Sequence, residues 1–326
     1  MTELRRITVG ANEPYEVVIG RNLLDQVPSM LVGAKKVLIV HPVGLSVSAE
    51  ALRDSLMEAN FEVLLAGVPD SEDAKRIEVA AFCWGILGKS EFSRTDMVIG
   101  FGGGAITDLA GFVAATWLRG VGIIQIPTTV LAMVDASIGG KTGVNTAEGK
   151  NLVGVFHSPK GVLVDLETLG SLARNELIAG FAEVVKCGFI SDTQILELIE
   201  NNTVEATDPS SELFLELVTR AIKVKALVVA EDFREQGLRE ILNYGHTLGH
   251  AIELAERYKW RHGAAVSIGM VFAAELARLN GRLSIVDVQR HRDILTSLSL
   301  PVSYPAEKWP QLLANMRIDK KARAGN

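Results

Sequence analysis

The amino-acid sequence predicts an α/β fold for residues 1–171 and an all-helical fold for residues 172–326. In the first half, short apolar runs alternate with helical patterns, which favours a largely parallel sheet with helices on its faces. After about residue 172 the strand patterns stop and only helical spacing of apolar residues remains. A chain of 326 residues is long enough for two domains, and a cleft between two domains is the natural place for chemistry.

Five short apolar runs predict the strands of the sheet. They are KKVLIV ending at residue 40, FEVLLAG at 61–67, DMVIGFGGG at 96–104, GIIQIPTT at 122–129 and GVLVDL at 161–166. The segments SAEALRDSLMEAN and DAKRIEVAAFCWGIL between them have helical spacing. The opening ITVGANEPYEVVIG indicates an antiparallel hairpin before the parallel strands.

Four long segments of the second half have apolar residues at helical spacing. They are RNELIAGFAEVVKCGFI, SSELFLELVTRAIKVKALVVAED, LREILNYGHTLGHAIELAERY and GAAVSIGMVFAAELARLNG. The chain has no internal repeat and no long linker.

Composition narrows the class of protein. The chain is 48% hydrophobic and 22% charged, with a net charge of −6, so a nucleic-acid-binding surface is not expected. Its two cysteines, Cys83 and Cys187, lie far apart in apolar helical patterns and are expected to be buried, reduced thiols. The N-terminus has no apolar signal-peptide core, and no apolar run reaches the roughly 18 residues of a membrane span. A cytoplasmic enzyme is expected.

A glycine-rich turn follows the third apolar run, in VIGFGGGAITDLAGF. Gly103 and Gly104 let the backbone approach a ligand, and the helix that follows offers free N–H groups to a phosphate. The match to the dinucleotide fingerprint is partial, because no acidic residue ends the next strand. The alternative is a tight strand–helix turn without a ligand. Asp108 lies one turn into the helix, close enough to face a ligand at the glycines.

A second glycine-rich stretch, DASIGGKTGVNTAEGKN at 135–151, contains GGKT. It is not a P-loop, because that motif needs glycine at position 135, where the chain has Asp135. The glycines with Lys141 and Lys150 still indicate an anionic ligand. The acidic stretch VPDSEDAK at 68–75 either binds ribose hydroxyls or is a solvated helix N-terminus.

Three of the six histidines fall between residues 246 and 262, which indicates a metal site. His246 and His250 are four residues apart on one predicted helical face, and His262 follows where the chain can fold back. Glu183 is a candidate further ligand, because a carboxylate in a mostly apolar helix is costly unless it is paired or metal-bound. The alternative is a Glu183–Lys186 helix pair.

Several cations recur around these segments, and many of them are expected to be solvated surface charges. They are Arg119, Lys141, Lys150, Lys186, Lys225 and Arg239. Lys141, Lys186 and Arg239 differ because each adjoins a glycine or apolar stretch, and together they suit a substrate with a phosphate and a carboxylate.

Taken in order along the chain, several motifs together resemble the 3-dehydroquinate synthase family. They are GGGAITDLAGFVAATWLRG, IPTTVLAMVDASIGGKTGVN, GKNLVGVFHSP, GFAEVVKCG, LNYGHTLGHAIE and HGAAVSIGM. The resemblance covers nearly the whole chain. It implies membership of the wider sugar phosphate cyclases, with glycerol dehydrogenase and iron-dependent alcohol dehydrogenases as distant relatives. This sequence departs from the family pattern in one respect: it ends at RIDKKARAGN, whereas members usually continue into another apolar segment after such a lysine-rich turn.

The resemblance implies an N-terminal Rossmann-like nucleotide-binding α/β domain, a C-terminal all-helical metal-binding domain, and a homodimer. It implies NAD and a divalent metal, zinc or cobalt, as cofactors, with Glu183, His246 and His262 as metal ligands and His250 beside the metal. The implied NAD contacts are Glu72, Lys75, Gly103, Gly104, Asp108, Thr128, Thr129, Asp135, Lys150 and Asn151. The implied substrate contacts are Arg119, Lys141, Lys186, Lys225, Arg239, Asn243 and His250.

The implied reaction converts 3-deoxy-D-arabino-heptulosonate 7-phosphate to 3-dehydroquinate and phosphate, in the shikimate pathway to aromatic amino acids. It proceeds by transient oxidation with NAD, phosphate elimination, reduction, ring opening and an intramolecular aldol closure. Three alternatives remain: another sugar phosphate cyclase, an NAD- and metal-dependent polyol dehydrogenase, and a non-catalytic binding protein. Arg239 with Asn243 suits a substrate carboxylate, which weighs against a different cyclase.

Overall fold

The computed structural model describes residues 4–10 and 13–324, with side chains up to residue 317. The chain forms two compact units. The first comprises Met1–Leu172 with Lys225–Arg234, and the second comprises Ala173–Val224 with Glu235–Asn326. The segment Lys225–Arg234 therefore belongs with the α/β unit, although its helical pattern placed it in the second predicted domain.

The first unit is built on a seven-stranded sheet. Its strands are β1 Arg5–Val9, β2 Tyr15–Gly20, β3 Lys36–Pro42, β4 Glu62–Val68, β5 Met97–Gly102, β6 Gly122–Pro127 and β9 Gly161–Asp165. They lie in the order β1-β2-β9-β6-β5-β3-β4, while β7 Lys141–Val144 and β8 Val153–Phe156 form a separate two-stranded hairpin. β1 pairs antiparallel with β2, and every other pair of the large sheet is parallel. The predicted α/β class, the opening hairpin and the five parallel strands are confirmed.

Helices cover both faces of this sheet. They are α1 Val27–Met30, α2 Ser46–Glu58, α3 Ile77–Lys89 and α4 Gly104–Thr116. Alternate residues of β3 divide between two cores: Ile39 packs with α2 residues such as Leu52 on one face, and Leu38 packs with α3 and α4 residues such as Leu109 on the other. Such two-sided burial explains the nearly continuous apolar strands. Cys83 and Cys187 are buried thiols that are not joined in a disulfide, as predicted.

The second unit contains only helices among its described elements. They are α5 Arg174–Ile190, α6 Gln194–Asn201, α7 Thr203–Ala206, α8 Glu212–Glu231 with its end in the first unit, α9 His246–Ala255, α10 His262–Leu279, α11 Ile285–Ser297 and α12 Trp309–Ala324. A core cluster joins α9, α10 and α12. Within the described part of the chain, none of the helices combines the length and apolar composition that crossing a membrane requires.

The segment 238–258, which has helical spacing of apolar residues, is divided into two helical elements. It forms a 3₁₀ turn at Leu238–Asn243 and then α9. Gly245 separates them with a φ of +81°, a left-handed conformation that residues with a side chain seldom adopt. This break places His246 in the first turn of α9.

Candidate active site

The glycine turn of the first unit joins β5 to α4 by close packing. A Cβ atom on Gly102 would lie 2.7 Å from the Ile106 side chain, and one on Gly103 would lie 3.2 Å from Thr129. Thr128 donates its backbone N–H to the Gly102 carbonyl at 2.9 Å, which joins this turn to the end of β6. The turn thus lies at the carboxyl ends of neighbouring parallel strands, where α/β sheets bind ligands.

Lys75 is a buried cation next to this turn. Its ammonium group donates to the Asp108 carboxylate on α4 and to the Asn151 side chain. Burial raises the pKa of Asp108, and the adjacent Lys75 offsets part of that effect. The structure therefore brings three of the predicted cofactor residues into one hydrogen-bonded group.

Glu72 extends the same group. Its carboxylate forms an ion pair with Lys150 at 2.9 Å and accepts a hydrogen bond from the Asn145 side chain at 2.6 Å. Burial opposes its ionisation, but Lys150 and Lys75 outweigh burial and lower the pKa of Glu72. The Asn151 backbone also donates to the Asn145 side chain at 3.1 Å. Asn145 was not predicted, and the sequence gives no signal for it beyond its position near Lys150.

The GGKT stretch is a turn into a hairpin. Gly139 and Gly140 have φ values of +98° and +64°, and β7 begins directly after them at Lys141, which is exposed. These glycines therefore serve a left-handed turn. Arg119 is also exposed and follows Leu118 at positive φ.

Asp135 and Lys225 form an ion pair within the first unit. Asp135 lies on a single π-helical turn, Ala132–Ala136, and Lys225 is almost completely buried on α8. The pair joins a residue predicted for the cofactor to one predicted for the substrate.

Three side chains of the second unit converge on one point. Glu183 of α5, His246 of α9 and His262 of α10 each offer one ligand atom, and these atoms lie within 4.8 Å of one another. The Nε2 atoms of His246 and His262 lie 3.8 and 3.7 Å from the Glu183 Oε1 atom. Ligand atoms around a tetrahedral zinc ion, at bonds near 2.0–2.1 Å, lie roughly 3.3 Å apart. The spacing therefore fits a small divalent metal.

Both histidines are oriented by their other ring nitrogen. His246 Nδ1 lies 3.2 Å from the Tyr244 carbonyl, and His262 Nδ1 lies 3.1 Å from the Glu253 carboxylate. Because a carbonyl and a carboxylate only accept hydrogen bonds, each Nδ1 carries a proton. Nε2 is therefore the nitrogen that binds a metal, and at His262 the metal displaces a proton from it. The donor set of two imidazoles and one carboxylate is typical of zinc sites with an open position.

The pKa shifts of the two histidines have different causes. Burial lowers the pKa of His246 to about 3, so this ring is neutral. Burial alone would also lower the pKa of His262, but hydrogen bonds and charge from Glu183 and Glu253 raise it to about 10. A position that attracts a proton between two carboxylates also attracts a metal cation.

His250 lies next to this group, on α9. Its ring centroid is 5.3 Å from that of His246 and 6.2 Å from that of His262. Helical spacing alone indicated His246 with His250 as ligands. Among the described residues, however, His250 groups with Glu253 and His262, while His246 groups with Glu183 and His262.

The remaining predicted residues of the second unit are strongly buried or hydrogen-bonded. Lys186 pairs with Glu183 across one turn of α5, and both side chains are at most 2% exposed. The predicted alternative, a Glu183–Lys186 helix pair, is thus present together with the group of Glu183, His246 and His262. Arg239 is 1% exposed, and Asn243 donates to Glu235 at 2.9 Å. Glu253 and Tyr244 were not predicted. Glu253 meets His262 of another helix, and Tyr244 acts through its backbone carbonyl, which nearly any residue could supply.

Solved structures with this fold include enzymes that cyclise sugar phosphates. The 2-epi-5-epi-valiolone synthase ValA from Streptomyces hygroscopicus subsp. jinggangensis 5008, with NAD⁺ and Zn²⁺ bound, is 29% identical, with a TM-score of 0.88 over 95% of this chain and 88% of that chain. A 2-deoxy-scyllo-inosose synthase complexed with carbaglucose-6-phosphate, NAD⁺ and Co²⁺ is 26% identical, with a TM-score of 0.88 over 98% and 89%. The fold is thus that of the sugar phosphate cyclases.

Sequence comparison narrows this class to one family. The N-terminal family model of 3-dehydroquinate synthase matches residues 65–179, and the C-terminal model matches residues 180–322. The 3-dehydroquinate synthase of Leifsonia xyli subsp. xyli (strain CTCB07) is 62% identical over 322 residues, which are 98% of this chain and 89% of the relative. The chain belongs to the 3-dehydroquinate synthase family, whose members are phosphate-eliminating lyases.

Proposed function

We propose that this protein converts 3-deoxy-D-arabino-heptulosonate 7-phosphate to 3-dehydroquinate and phosphate, using NAD and a divalent metal, zinc or cobalt. The observation that carries the proposal is the convergence of Glu183, His246 and His262, with both Nε2 atoms within 3.8 Å of one carboxylate oxygen. The family relationship supplies the reaction, and the bound groups of the related cyclases support the cofactors.

The metal ligands are Glu183, His246 and His262. When bound there, a divalent metal would act as a Lewis acid on a substrate hydroxyl, and NAD would supply reversible hydride acceptance. Lys186 and His250 lie next to the metal ligands and form hydrogen bonds with the substrate hydroxyls. The neutral state of His246 and the Nδ1 partners of both ligand histidines prepare them for metal binding.

NAD is held by the first unit. The N-terminus of α4 receives the pyrophosphate at Gly103 and Gly104, because helix N-termini and glycine turns favour phosphate. The Lys75 group lies beside this turn. The other proposed contacts to NAD are Glu72, Asp108, Thr128, Thr129, Asp135, Lys150 and Asn151.

The substrate needs both phosphate and carboxylate recognition. Arg119, Lys141 and Lys225 contact the phosphate, and Arg239 with Asn243 contacts the carboxylate. A buried guanidinium group suits a carboxylate because two of its N–H groups can donate in parallel.

The test follows phosphate and NADH in one assay with the heptulosonate phosphate. Because the hydride is removed and returned within a turnover, one equivalent of NAD should support many turnovers, with one phosphate released in each and no accumulation of NADH. Accumulation of NADH in step with product, without phosphate, would instead indicate a polyol dehydrogenase. Phosphate release from a sugar phosphate that lacks the carboxylate, at equal efficiency, would indicate another cyclase.

The proposal includes a cytoplasmic homodimer, on the basis of the family resemblance and of a phosphorylated substrate with a dinucleotide cofactor. Light scattering after gel filtration should give about twice the 35.2 kDa mass of the chain. A mass of one chain at micromolar concentration would contradict the dimer without affecting the proposed reaction.

A further inference from the structure

Glu253 is a buried carboxylate that the metal-binding trio does not include. It lies on α9, seven residues after His246, and is 6% exposed. Its Oε2 atom lies 3.1 Å from the Nδ1 atom of His262 on α10. Burying a carboxylate is costly, so its place beside a predicted metal ligand calls for a function.

His262 belongs to two groups that could hold a metal ion. One group is Glu183–His246–His262, and the other is His250–Glu253–His262. The ring faces Glu183 through Nε2 at 3.7 Å and Glu253 through Nδ1 at 3.1 Å. An imidazole bound to a metal through one nitrogen keeps its proton on the other. If Nε2 binds the metal, Nδ1–H donates to Glu253, and the second group is an orienting contact.

The charges around the trio give Glu253 a second effect. Lys186 is ion-paired with Glu183, so the one carboxylate of the trio is already next to an ammonium group. A divalent cation added there is repelled by Lys186 at short range. The buried charge of Glu253 offsets this repulsion through the His262 ring.

We infer that Glu253 is a positioning residue that fixes the His262 ring by accepting its Nδ1–H, and thereby strengthens metal binding at Glu183, His246 and His262. This inference rests on the metal site of the proposed function. Carboxylate partners of metal-bound histidines typically change metal affinity 10- to 100-fold.

The experiment measures Zn²⁺ affinity by competition with a chromophoric chelator, and the Co²⁺ complex by its visible absorption. The full chain is compared with Glu253→Ala, Glu253→Gln and a control, Glu275→Gln, which alters a carboxylate paired with arginines in the same unit. Glu253→Ala should bind Zn²⁺ about 10- to 100-fold more weakly. Glu253→Gln, which keeps an acceptor but loses the charge, should lose less affinity, and the control should match the unaltered protein.

Unaltered Zn²⁺ affinity in a folded Glu253→Ala variant would overturn the inference, as would failure of the unaltered protein to bind either ion. If Glu253→Ala does not fold, unaltered affinity and Co²⁺ absorption in Glu253→Gln overturn it. The proposed reaction is tested separately by phosphate release. A protein that binds metal but releases no phosphate contradicts the proposed function, while the affinity comparison still decides the role of Glu253.

Discussion

At the scale of single residues, Arg239 combines a fixed charge with nearly complete burial. It is 1% exposed on the 3₁₀ turn Leu238–Asn243. If its guanidinium group pairs with the substrate carboxylate through two hydrogen bonds, lysine cannot replace it. Arg239→Lys should lower kcat/KM about 10- to 150-fold, the effect of losing about 1.5–3 kcal/mol from one charged hydrogen bond. Steady-state kinetics on the heptulosonate phosphate measure this change.

A matched control for Arg239→Lys is Arg290→Lys. Arg290 also donates two hydrogen bonds to one carboxylate, Glu200, at 2.8 Å each, but this pair is on the surface. Its kinetics should be unchanged. Equal loss of activity in both variants would show a general effect of losing arginine and contradict the assignment of Arg239.

Cys83 offers a prediction that depends on pH. Burial raises the pKa of its thiol from 9.0 to about 12. At pH 8 only about one molecule in ten thousand then has the reactive thiolate at this position, and the fraction rises tenfold with each pH unit. In a Cys187→Ser variant, which leaves Cys83 as the single thiol, the folded protein should react with iodoacetamide far more slowly than the urea-unfolded protein. Equal labelling rates at pH 8 would show that Cys83 is accessible.

The sequence predicted the metal-binding trio better than it predicted the residues around that trio. Glu183, His246 and His262 were assigned from motifs, and the structure brings them within 4.8 Å of one another. Glu253 occupies an equally apolar helical pattern, but its partner is on another helix, and a single sequence does not show which side chains face each other. Helical spacing favoured His246 with His250, because spacing describes one helix and the trio comes from three.

At the scale of elements, glycines set the distances between the helices that carry this trio. A Cβ atom on Gly263 of α10 would lie 1.6 Å from the Ala179 carbonyl of α5. One on Gly269 of α10 would lie 1.8 Å from the carbonyl of Gly245, directly before α9. Both distances are far below any real contact, so α10 approaches α5 and the start of α9 more closely than any larger residue permits.

Gly269→Ala should therefore destabilise the protein and disturb the metal site. Forcing a methyl group into such a contact costs about 1–3 kcal/mol or more. Thermal unfolding should show a lower midpoint, and chelator competition a weaker Zn²⁺ affinity. The control is Gly85→Ala on α3, where a Cβ atom meets nothing within 4 Å. That variant should be more stable by about 0.5–1 kcal/mol, and a lower midpoint there would contradict the reasoning.

Elements with a strong apolar pattern could be predicted from the sequence, and elements with a weak pattern could not. Apolar strands of the large sheet were recognisable because both faces are buried. The β7–β8 hairpin was not predicted, since KTGV and VGVF are short, contain glycine and are partly exposed. The interruption at Gly245 was missed because apolar spacing continues on both sides of it. A positive φ at one glycine does not change the spacing of the apolar residues around it.

At the scale of the whole molecule, the predicted site residues divide between the two units. The predicted NAD contacts belong to the first unit, together with Arg119, Lys141 and Lys225. The predicted metal ligands belong to the second, together with Lys186, Arg239, Asn243 and His250. Lys225 was hard to place from sequence, because α8 is one continuous helical pattern whose last turns cluster with the α/β unit.

This division predicts that the two cofactors can be lost separately. His262→Ala removes one of three metal ligands, so tightly bound zinc and activity should disappear together, while the Kd for NAD stays within about twofold of the unaltered value, because no NAD contact is changed. Lys150→Met removes a cation that pairs with Glu72 at 2.9 Å in the first unit. It should weaken NAD binding roughly tenfold, in line with the loss of one charge-assisted contact, and leave the Zn²⁺ affinity unchanged.

Calorimetric titration measures the Kd for NAD, and chelator competition measures the Zn²⁺ affinity. Both measurements are made on His262→Ala and on Lys150→Met. Glu183→Ala serves as a second metal-ligand variant and should behave like His262→Ala. If it kept its zinc and lost only the ion pair with Lys186, Glu183 would be a structural carboxylate. Full activity in a metal-free preparation would show that catalysis does not need the metal. Because each variant changes one unit and both affinities are measured, a fall in both from a single substitution would show instead that NAD and metal binding are coupled.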